Sequence, residues 1–200
     1  MNITLGRVGA GVTGLGVLAF AISMVVGLFM DTLFASCFSS IFIALGFVQF
    51  MAALNAQQER SACGVTAMAF SAIYVTIILL VYFAQCTTVR MNPALSAETL
   101  SIISYGQLGS LFFNYDLLGY GMMALSTFFT GLNMHAETKP DRALKALLTV
   151  HGMFFPGCLL VPMFPVFAAG GSSVPGTILL EIWCLYFLPI CILGYRHFTK

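Results

Sequence analysis

The chain has 200 residues, of which 60% are hydrophobic and only 8% are charged, and its mean hydropathy is +0.97. Ordinary soluble domains carry about 25% charged residues, so this composition excludes that class and indicates that lipid solvates most of the surface. A net charge of +1 without any Lys/Arg run argues against a nucleic-acid partner, because phosphate binding needs clustered cations. The sequence predicts an integral membrane protein whose partners are membrane lipids.

The first apolar run covers residues 6–30 and is long enough to cross a hydrocarbon core of ~30 Å as a helix. It is longer than the apolar region of a signal peptide, so we expect it to be retained. Its six glycines let a neighbouring helix approach closely. We therefore expect a contact surface on this helix, which could also support a homo-oligomer.

Five further apolar segments are predicted to span the membrane. They cover residues 33–54, 63–87, 116–135, 146–169 and 177–195. The fifth span of the chain contains Pro156, Pro162 and Pro165 and should be kinked or broken, because proline removes a backbone donor and clashes with the preceding turn. The glycine-rich segment 170–176 should form a turn. The sequence thus predicts an all-α bundle of six transmembrane helices in one domain, 1–200.

The cations predict the orientation of this bundle. With a cytoplasmic N-terminus, seven of the eight Lys and Arg residues lie on the cytoplasmic side, and only Arg90 lies outside. Both termini are therefore predicted to be cytoplasmic, and the 88–115 loop should face out. Within this loop, Asn92-Pro93 resembles a helix start and Leu95, Leu100, Ile102 and Ile103 supply an apolar side, which predicts a short amphipathic helix.

Three of the predicted helices have a semi-polar stripe at helical spacing. The stripes are Ser71, Tyr74, Tyr82 and Gln85 on the third span, Asp116, Tyr120, Met123, Thr127 and Thr130 on the fourth, and Glu181, Cys184, Leu188, Cys191 and Tyr195 on the sixth. Lipid cannot solvate such faces, so they should turn into the bundle.

We predict an outward-facing polar pocket where these stripes meet. Its candidate ligand-binding residues are Asp116, Glu181, Gln85, Arg90, Tyr82 and Tyr120. The two acids supply charge, the arginine is a counter-ion, and an intramembrane carboxylate is by default a site hypothesis. The alternative for Asp116 is that it caps the first turn of its helix, where free N–H groups favour an anion.

His151 is a secondary candidate, as a proton-relay group or a haem ligand, but a second histidine at its depth is missing. We therefore expect a hydrogen-bonded packing histidine. The six cysteines show neither a Cys-x-x-Cys pair nor Cys/His ligand spacing, so we expect packing residues, no metal site and no cofactor.

Parts of the third and fourth spans resemble a group of uncharacterised polytopic bacterial membrane proteins. The matching segments are Ala72-Ile73-Tyr74, Tyr82-Phe83-Ala84-Gln85, Asp116-Leu117-Leu118-Gly119-Tyr120 and Leu125-Ser126. The resemblance implies a multi-span protein of the bacterial inner (cell) membrane and no established activity.

Three functions remain open on the sequence. The first is binding or transport of a small molecule or lipid through the outward pocket, which the proline-broken fifth span favours because discontinuous helices line cavities. The second is an intramembrane enzyme that uses Asp116 or Glu181 as acid/base, with Arg90 holding an anionic head group. The third is an accessory subunit of a membrane complex, docked through the first helix.

Overall fold

The computed structural model describes residues 2–164 and 174–199, and all regular secondary structure in them is helical. The α-helices are α1 (Asn2–Val26), α2 (Leu33–Asn55), α3 (Ala62–Ala84), α4 (Ala97–Ile103), α5 (Leu111–Asn133), α6 (Lys139–His151), α7 (Phe154–Met163) and α8 (Val174–His197). A π-helical turn, Gln85–Val89, continues α3. The predicted all-α class is confirmed for the part of the chain that is described.

Within residues 2–164 and 174–199, five stretches are long and apolar enough to cross a membrane. They are α1, α2, α3 with its π-helical turn, the stretch Lys139–Met163 that combines α6 and α7, and Gly176–His197 within α8. α5 has 23 residues but is less apolar, since it carries Asn114, Asp116 and several hydroxyl side chains. It contacts α2, α3, α4, α6 and α7, so it lies inside the bundle and faces protein more than lipid. The protein is therefore an integral membrane helical bundle.

The glycines of α1 contact other helices of the same chain. A Cβ at Gly9 would lie 2.5 Å from the Phe50 backbone nitrogen on α2, and a Cβ at Gly6 would overlap the Phe198 ring just beyond α8. The glycine-rich helix is thus a contact surface, and its contacts are intramolecular. A homo-oligomer through α1 stays a prediction, and the exposed apolar side chains of α1, such as Leu15, lie away from these glycines.

Two predicted helix starts are wrong. α5 begins at Leu111, because the Ser110 side chain accepts a hydrogen bond from Phe113 N and caps the helix there, so Asp116 lies in the second turn and caps nothing. α4 begins after Ser96, which accepts from Thr99 N. Asn92 instead accepts from Ala94 N in a turn. In both cases the serine directly before the helix supplies the oxygen that the free N–H groups need.

The predicted fifth span is broken before Pro156, whereas Pro162 lies inside α7. α6 ends at His151 and α7 begins at Phe154, with a tight turn in which Met153 N donates to Val150 O. The break precedes Pro156, whose ring would clash with the carbonyl of Gly152 in a continuous helix. Pro165 and the first part of the predicted 170–176 turn lie outside the described residues.

Candidate functional site

α3 and α5 form the antiparallel pair that positions the candidate site. Gly119 lies against Ile78, and Gly64 lies against Asn133. This register places Tyr82 level with Asp116. Both predicted stripes on these helices are buried: Ser71, Tyr74, Tyr82 and Gln85 on α3, and Asp116, Tyr120, Met123, Thr127 and Thr130 on α5.

The stripe predicted on α8 is only partly correct. Cys184 and Cys191 are buried, but Tyr195 is exposed. The inward face also includes Trp183 and Phe187, which stack with ring centroids 5.2 Å apart. Large rings bury the most apolar area, so they, rather than the polar residues, determine which side of α8 faces the core.

Asp116 is 2% exposed, and its Oδ1 atom has no hydrogen-bond partner among the described residues. The hydroxyls of Tyr74, Tyr82 and Tyr120 are also buried, and within the same residues none forms a hydrogen bond of regular geometry, although Tyr74 and Tyr120 approach each other closely. Tyr82 approaches the Asp116 carboxyl closely, but the two do not form a hydrogen bond of regular geometry. We call Asp116 with Tyr74, Tyr82, Tyr105 and Tyr120 the Asp116 cluster.

Tyrosine rings hold the cluster together. The Tyr74 and Tyr120 centroids are 5.8 Å apart and those of Tyr82 and Tyr105 are 5.4 Å apart, both edge to face. This is the favoured geometry of aromatic pairs. Burial raises the pKa of the Tyr105 phenol, which lies in the loop before α5, well above its usual value. This phenol is therefore neutral at physiological pH.

A groove of about 270 Å³ lies beside the cluster, at the end of the bundle that carries the α1–α2 turn and the 88–115 loop. We call this end the loop end. The groove is lined by Met24, Gly27, Leu28, Met30, Asp31, Thr32, Leu33, Ser36, Tyr105, Gly106, Leu108, Phe113, Gly176, Thr177 and Leu180. Tyr105 is the residue that the groove and the cluster share, so its ring forms the wall between them.

Gln85 and Arg90 do not join Asp116. Gln85 Nε2 donates to Ile103 O at 2.9 Å, and its Oε1 accepts from Tyr105 N at 3.0 Å, so the amide holds the loop over the bundle. The Arg90 side chain is exposed, with its guanidinium carbon 4.1 Å from the centroid of the Phe34 ring. The structure therefore brings Tyr82 and Tyr120 to Asp116 but not the predicted counter-ion.

Glu181 is half-buried, and its buried Oε1 atom has no hydrogen-bond partner in the part of the chain that the structure describes. It interacts electrostatically with Cys184. Among the described residues no hydrogen bond or electrostatic interaction joins Glu181 to Asp116. The two predicted acids therefore do not form a pair.

His151 is fully buried between α5 and α8. The Trp183 indole donates to its Nε2 at 3.0 Å, so Nε2 carries no proton and Nδ1–H is the donor to Thr127 Oγ1 at 2.7 Å. The Thr127 hydroxyl in turn donates a hydrogen bond to Ala124 O at 2.9 Å. Both ring nitrogens are thus used, which is the arrangement of a hydrogen-bonded packing histidine.

The opposite end of the bundle is closed by side-chain hydrogen bonds. Asn55 Nδ2 donates to Thr130 Oγ1 and Asn133 Nδ2 to Asn55 Oδ1, both at 2.9 Å, while Ser61 donates to Asn133 Oδ1. These bonds join the ends of α2 and α5 to the start of α3. His197 also contacts Asp141 Oδ1 at 2.8 Å.

Sequence reasoning missed this layer, the groove and the role of Tyr105. The position of Asn55 and Asn133 at the ends of two apolar runs was the one signal for the polar layer. No pattern in the sequence indicated that Tyr105 would be buried, because its contacts come from residues distant along the chain.

Within the described residues, no group of three or more His, Cys, Asp or Glu side chains is placed to hold a metal ion.

In comparisons with known proteins, no family model, no curated protein and no solved structure matches this chain.

Proposed function

We propose that this chain is a six-span membrane protein that binds a small molecule or lipid from the outer side, in the groove backed by the Asp116 cluster, and moves it through the bundle. α5 is the sixth span in this proposal, and its 23 residues are long enough to cross the hydrocarbon core. The distribution of Lys and Arg supports cytoplasmic termini, which places the loop end and its groove outside.

One observation carries the proposal: within the described residues, four buried polar atoms of the cluster make no hydrogen bond of regular geometry, and Tyr105 of the same cluster lines a groove. Buried polar groups are normally hydrogen-bonded, so an unpaired set indicates a place where water or a ligand completes the bonding. The polar layer at the opposite end is bonded across three helix ends, as structural polar groups are. The difference between the two ends favours a site at the loop end.

The lining of the groove indicates an amphipathic ligand. Leucine and methionine side chains, together with Phe113, supply its apolar wall, and Thr32, Ser36, Thr177 and Tyr105 supply hydroxyl groups. Small-molecule sites combine an apolar wall with few polar groups in this way. Asp31 is the acidic residue of the lining, and no Lys or Arg contributes to it. A ligand with an apolar body and a neutral or cationic polar end fits this chemistry.

The broken fifth span supports movement of the ligand as well as binding. α7 packs against α5, where Gly121 lies against Cys158 and Phe155. A discontinuous helix beside a site can shift without unwinding a whole span, and such helices line the sites of many transporters. The enzyme alternative uses Asp116 or Glu181 as acid/base, with Arg90 holding an anionic head group. It is less favoured, because among the described residues neither acid pairs with the other or with Arg90, which lies over the Phe34 ring.

Native mass spectrometry of protein extracted in mild detergent tests the proposal. We expect the wild-type protein to retain a lipid or small molecule and Gly106→Trp to lose it, because the indole would fill the groove. A Cβ at Gly106 meets only Leu33 and Ser104, at 3.8 Å or more, so the backbone accepts a side chain there.

The matched control is Gly157→Trp, which places the same side chain on an exposed surface where nothing lies within 4 Å of the new Cβ. This variant should retain the bound species. Loss from both variants, or retention by both, would contradict binding in the groove.

A further inference from the structure

We infer that Asp116 is a proton-binding site, which holds its proton while Tyr105 covers it and exchanges that proton only toward the groove. The link to a bound ligand rests on the proposed function, whereas the protonation state can be measured without any ligand.

The first reason is the uncompensated burial of the carboxyl. Asp116 is almost completely buried, and no salt bridge to it is found in the described part of the chain. A carboxylate in a membrane interior costs roughly 3 kcal/mol or more, and an unpaired buried charge is normally removed by protonation. A protonated carboxyl also carries an O–H group. This group can donate a hydrogen bond to the neighbouring Tyr82 hydroxyl, which makes no regular hydrogen bond among the described residues.

The second reason is the chemistry of the surrounding groups. The ionisable side chains that act electrostatically with Asp116 come from α2, α3, the 88–115 loop, α5 and α7. They are Cys37, Tyr74, Tyr82, Tyr105, Tyr120 and Cys158. All are neutral when protonated and anionic when not, so none can stabilise a carboxylate by opposite charge. On α8, Cys184 interacts electrostatically with Tyr105 and Tyr120, and Glu181 interacts with Cys184. These two side chains are also neutral when protonated and anionic when not.

The third reason is that the path toward the opposite end is blocked. Below the cluster the Tyr120 ring packs edge to face on Trp183, 5.0 Å between centroids, and Trp183 donates to His151. An indole N–H can donate but cannot accept, so it does not relay a proton. His151 and Thr127 already use all their donors in this network. The groove behind Tyr105 is thus the short route to water.

The proton transfer itself is simple. When Tyr105 moves away, water in the groove takes the proton from the Asp116 carboxyl, which leaves a carboxylate and a hydronium ion. The reverse step restores the covered form. A ligand that displaces Tyr105 would therefore release a proton on binding from the outer side.

Infrared spectroscopy of the purified protein at neutral pH tests the protonation. We expect a C=O band of a protonated carboxyl in the wild type, which shifts to lower frequency when aspartate is labelled with ¹³C at its carboxyl carbon. The chain has three aspartates, of which Asp31 is exposed and Asp141 is paired with His197. Asp116→Asn should remove the band and Glu181→Gln should keep it.

The labelled wild type decides the question even where Asp116→Asn does not fold. The absence of a protonated-carboxyl band, or a band that does not shift with labelled aspartate, overturns the assignment. A band lost in Glu181→Gln instead of Asp116→Asn overturns it as well.

Deuterium exchange of the same band tests the route. In Tyr105→Ala the shift of the band in D₂O should be at least about tenfold faster than in the wild type, because the wall to the groove is removed. Ser126→Ala, deeper in α5, should leave the rate unchanged. Equal rates in wild type and Tyr105→Ala, or faster exchange in Ser126→Ala, would overturn exchange through the groove.

The outcomes separate the two proposals. If the aspartate band is present but native mass spectrometry finds no retained species, the proton site stands and the binding function is rejected. If a species is retained by the wild type and lost in Gly106→Trp, but no aspartate band is seen, the binding function stands and the proton site is rejected.

Discussion

At the scale of single residues, Thr127 connects His151 to α5. Replacing Thr127 with valine keeps the shape but leaves the buried Nδ1–H of His151 without an acceptor. An unsatisfied buried donor costs about 1–3 kcal/mol. We expect Thr127→Val to lower the midpoint of thermal unfolding in detergent.

Ser126→Ala is the matched control, because Ser126 is equally buried on the same helix and its hydroxyl has no partner. This variant should unfold at the wild-type temperature. Equal destabilisation by Thr127→Val and Ser126→Ala would show that the His151 network does not stabilise the bundle.

At the scale of the helices, α1 and α2 approach backbone to backbone. A Cβ at Gly46 would lie 2.7 Å from Thr13 N and 2.9 Å from Gly9 O, and neither backbone atom can move away cheaply. Overpacking of this kind costs about 1–3 kcal/mol. We expect Gly46→Ala to separate the two helices and to lower the unfolding temperature.

Gly11→Ala on the outer part of the α1 surface is the comparison. Its Cβ would meet only the Tyr195 ring at 3.8 Å, an ordinary contact. A variant Gly46→Ala as stable as Gly11→Ala would mean that the two helices can shift apart without loss.

The 88–115 loop is held to the end of α3 by Gln85, the first residue of the π-helical turn. Gln85→Leu fits a buried position but removes both the acceptor of Tyr105 N and the donor to Ile103 O. We expect the Tyr105 amide to exchange with deuterium about tenfold faster or more, since a lost bond of ~1.4 kcal/mol corresponds to that factor. Hydrogen exchange with mass spectrometry measures this change.

Gln107→Leu, an exposed substitution in the same loop, should leave the exchange of Tyr105 unchanged. Unchanged exchange in Gln85→Leu as well would show that ring packing alone, such as the Tyr82–Tyr105 contact, holds the loop in place.

At the scale of the whole molecule, the two ends of the bundle differ in polar bonding, and the proposed orientation gives each end a side of the membrane. In a background without native cysteines, Gln107→Cys should react with a membrane-impermeant maleimide in intact cells. Glu59→Cys, which is equally exposed in the α2–α3 turn, should react only after the membrane is opened. The reverse pattern would contradict cytoplasmic termini.

The sequence by itself determined the helical membrane class, because lipid demands long apolar runs and leaves each spanning helix to satisfy its own backbone. Pro156 likewise indicated a break near its own position, since its ring clashes with the carbonyl four residues earlier in a continuous helix. Proline alone does not decide such a break, because Pro162 lies inside α7 and Pro189 inside α8. The membrane class depends on solvent and on the composition of each run, so local sequence is sufficient for it.

Only the tertiary structure decided the candidate site. It placed Asp116 in the second turn of α5 beside Tyr82, turned the aromatic face of α8 inward, and used Gln85 to hold Tyr105 between groove and cluster. Each of these depends on contacts between residues far apart in sequence, where packing of large rings outweighs the polar pattern along one helix. The semi-polar stripes therefore predicted the buried faces of α3 and α5, but not which partners those faces would meet.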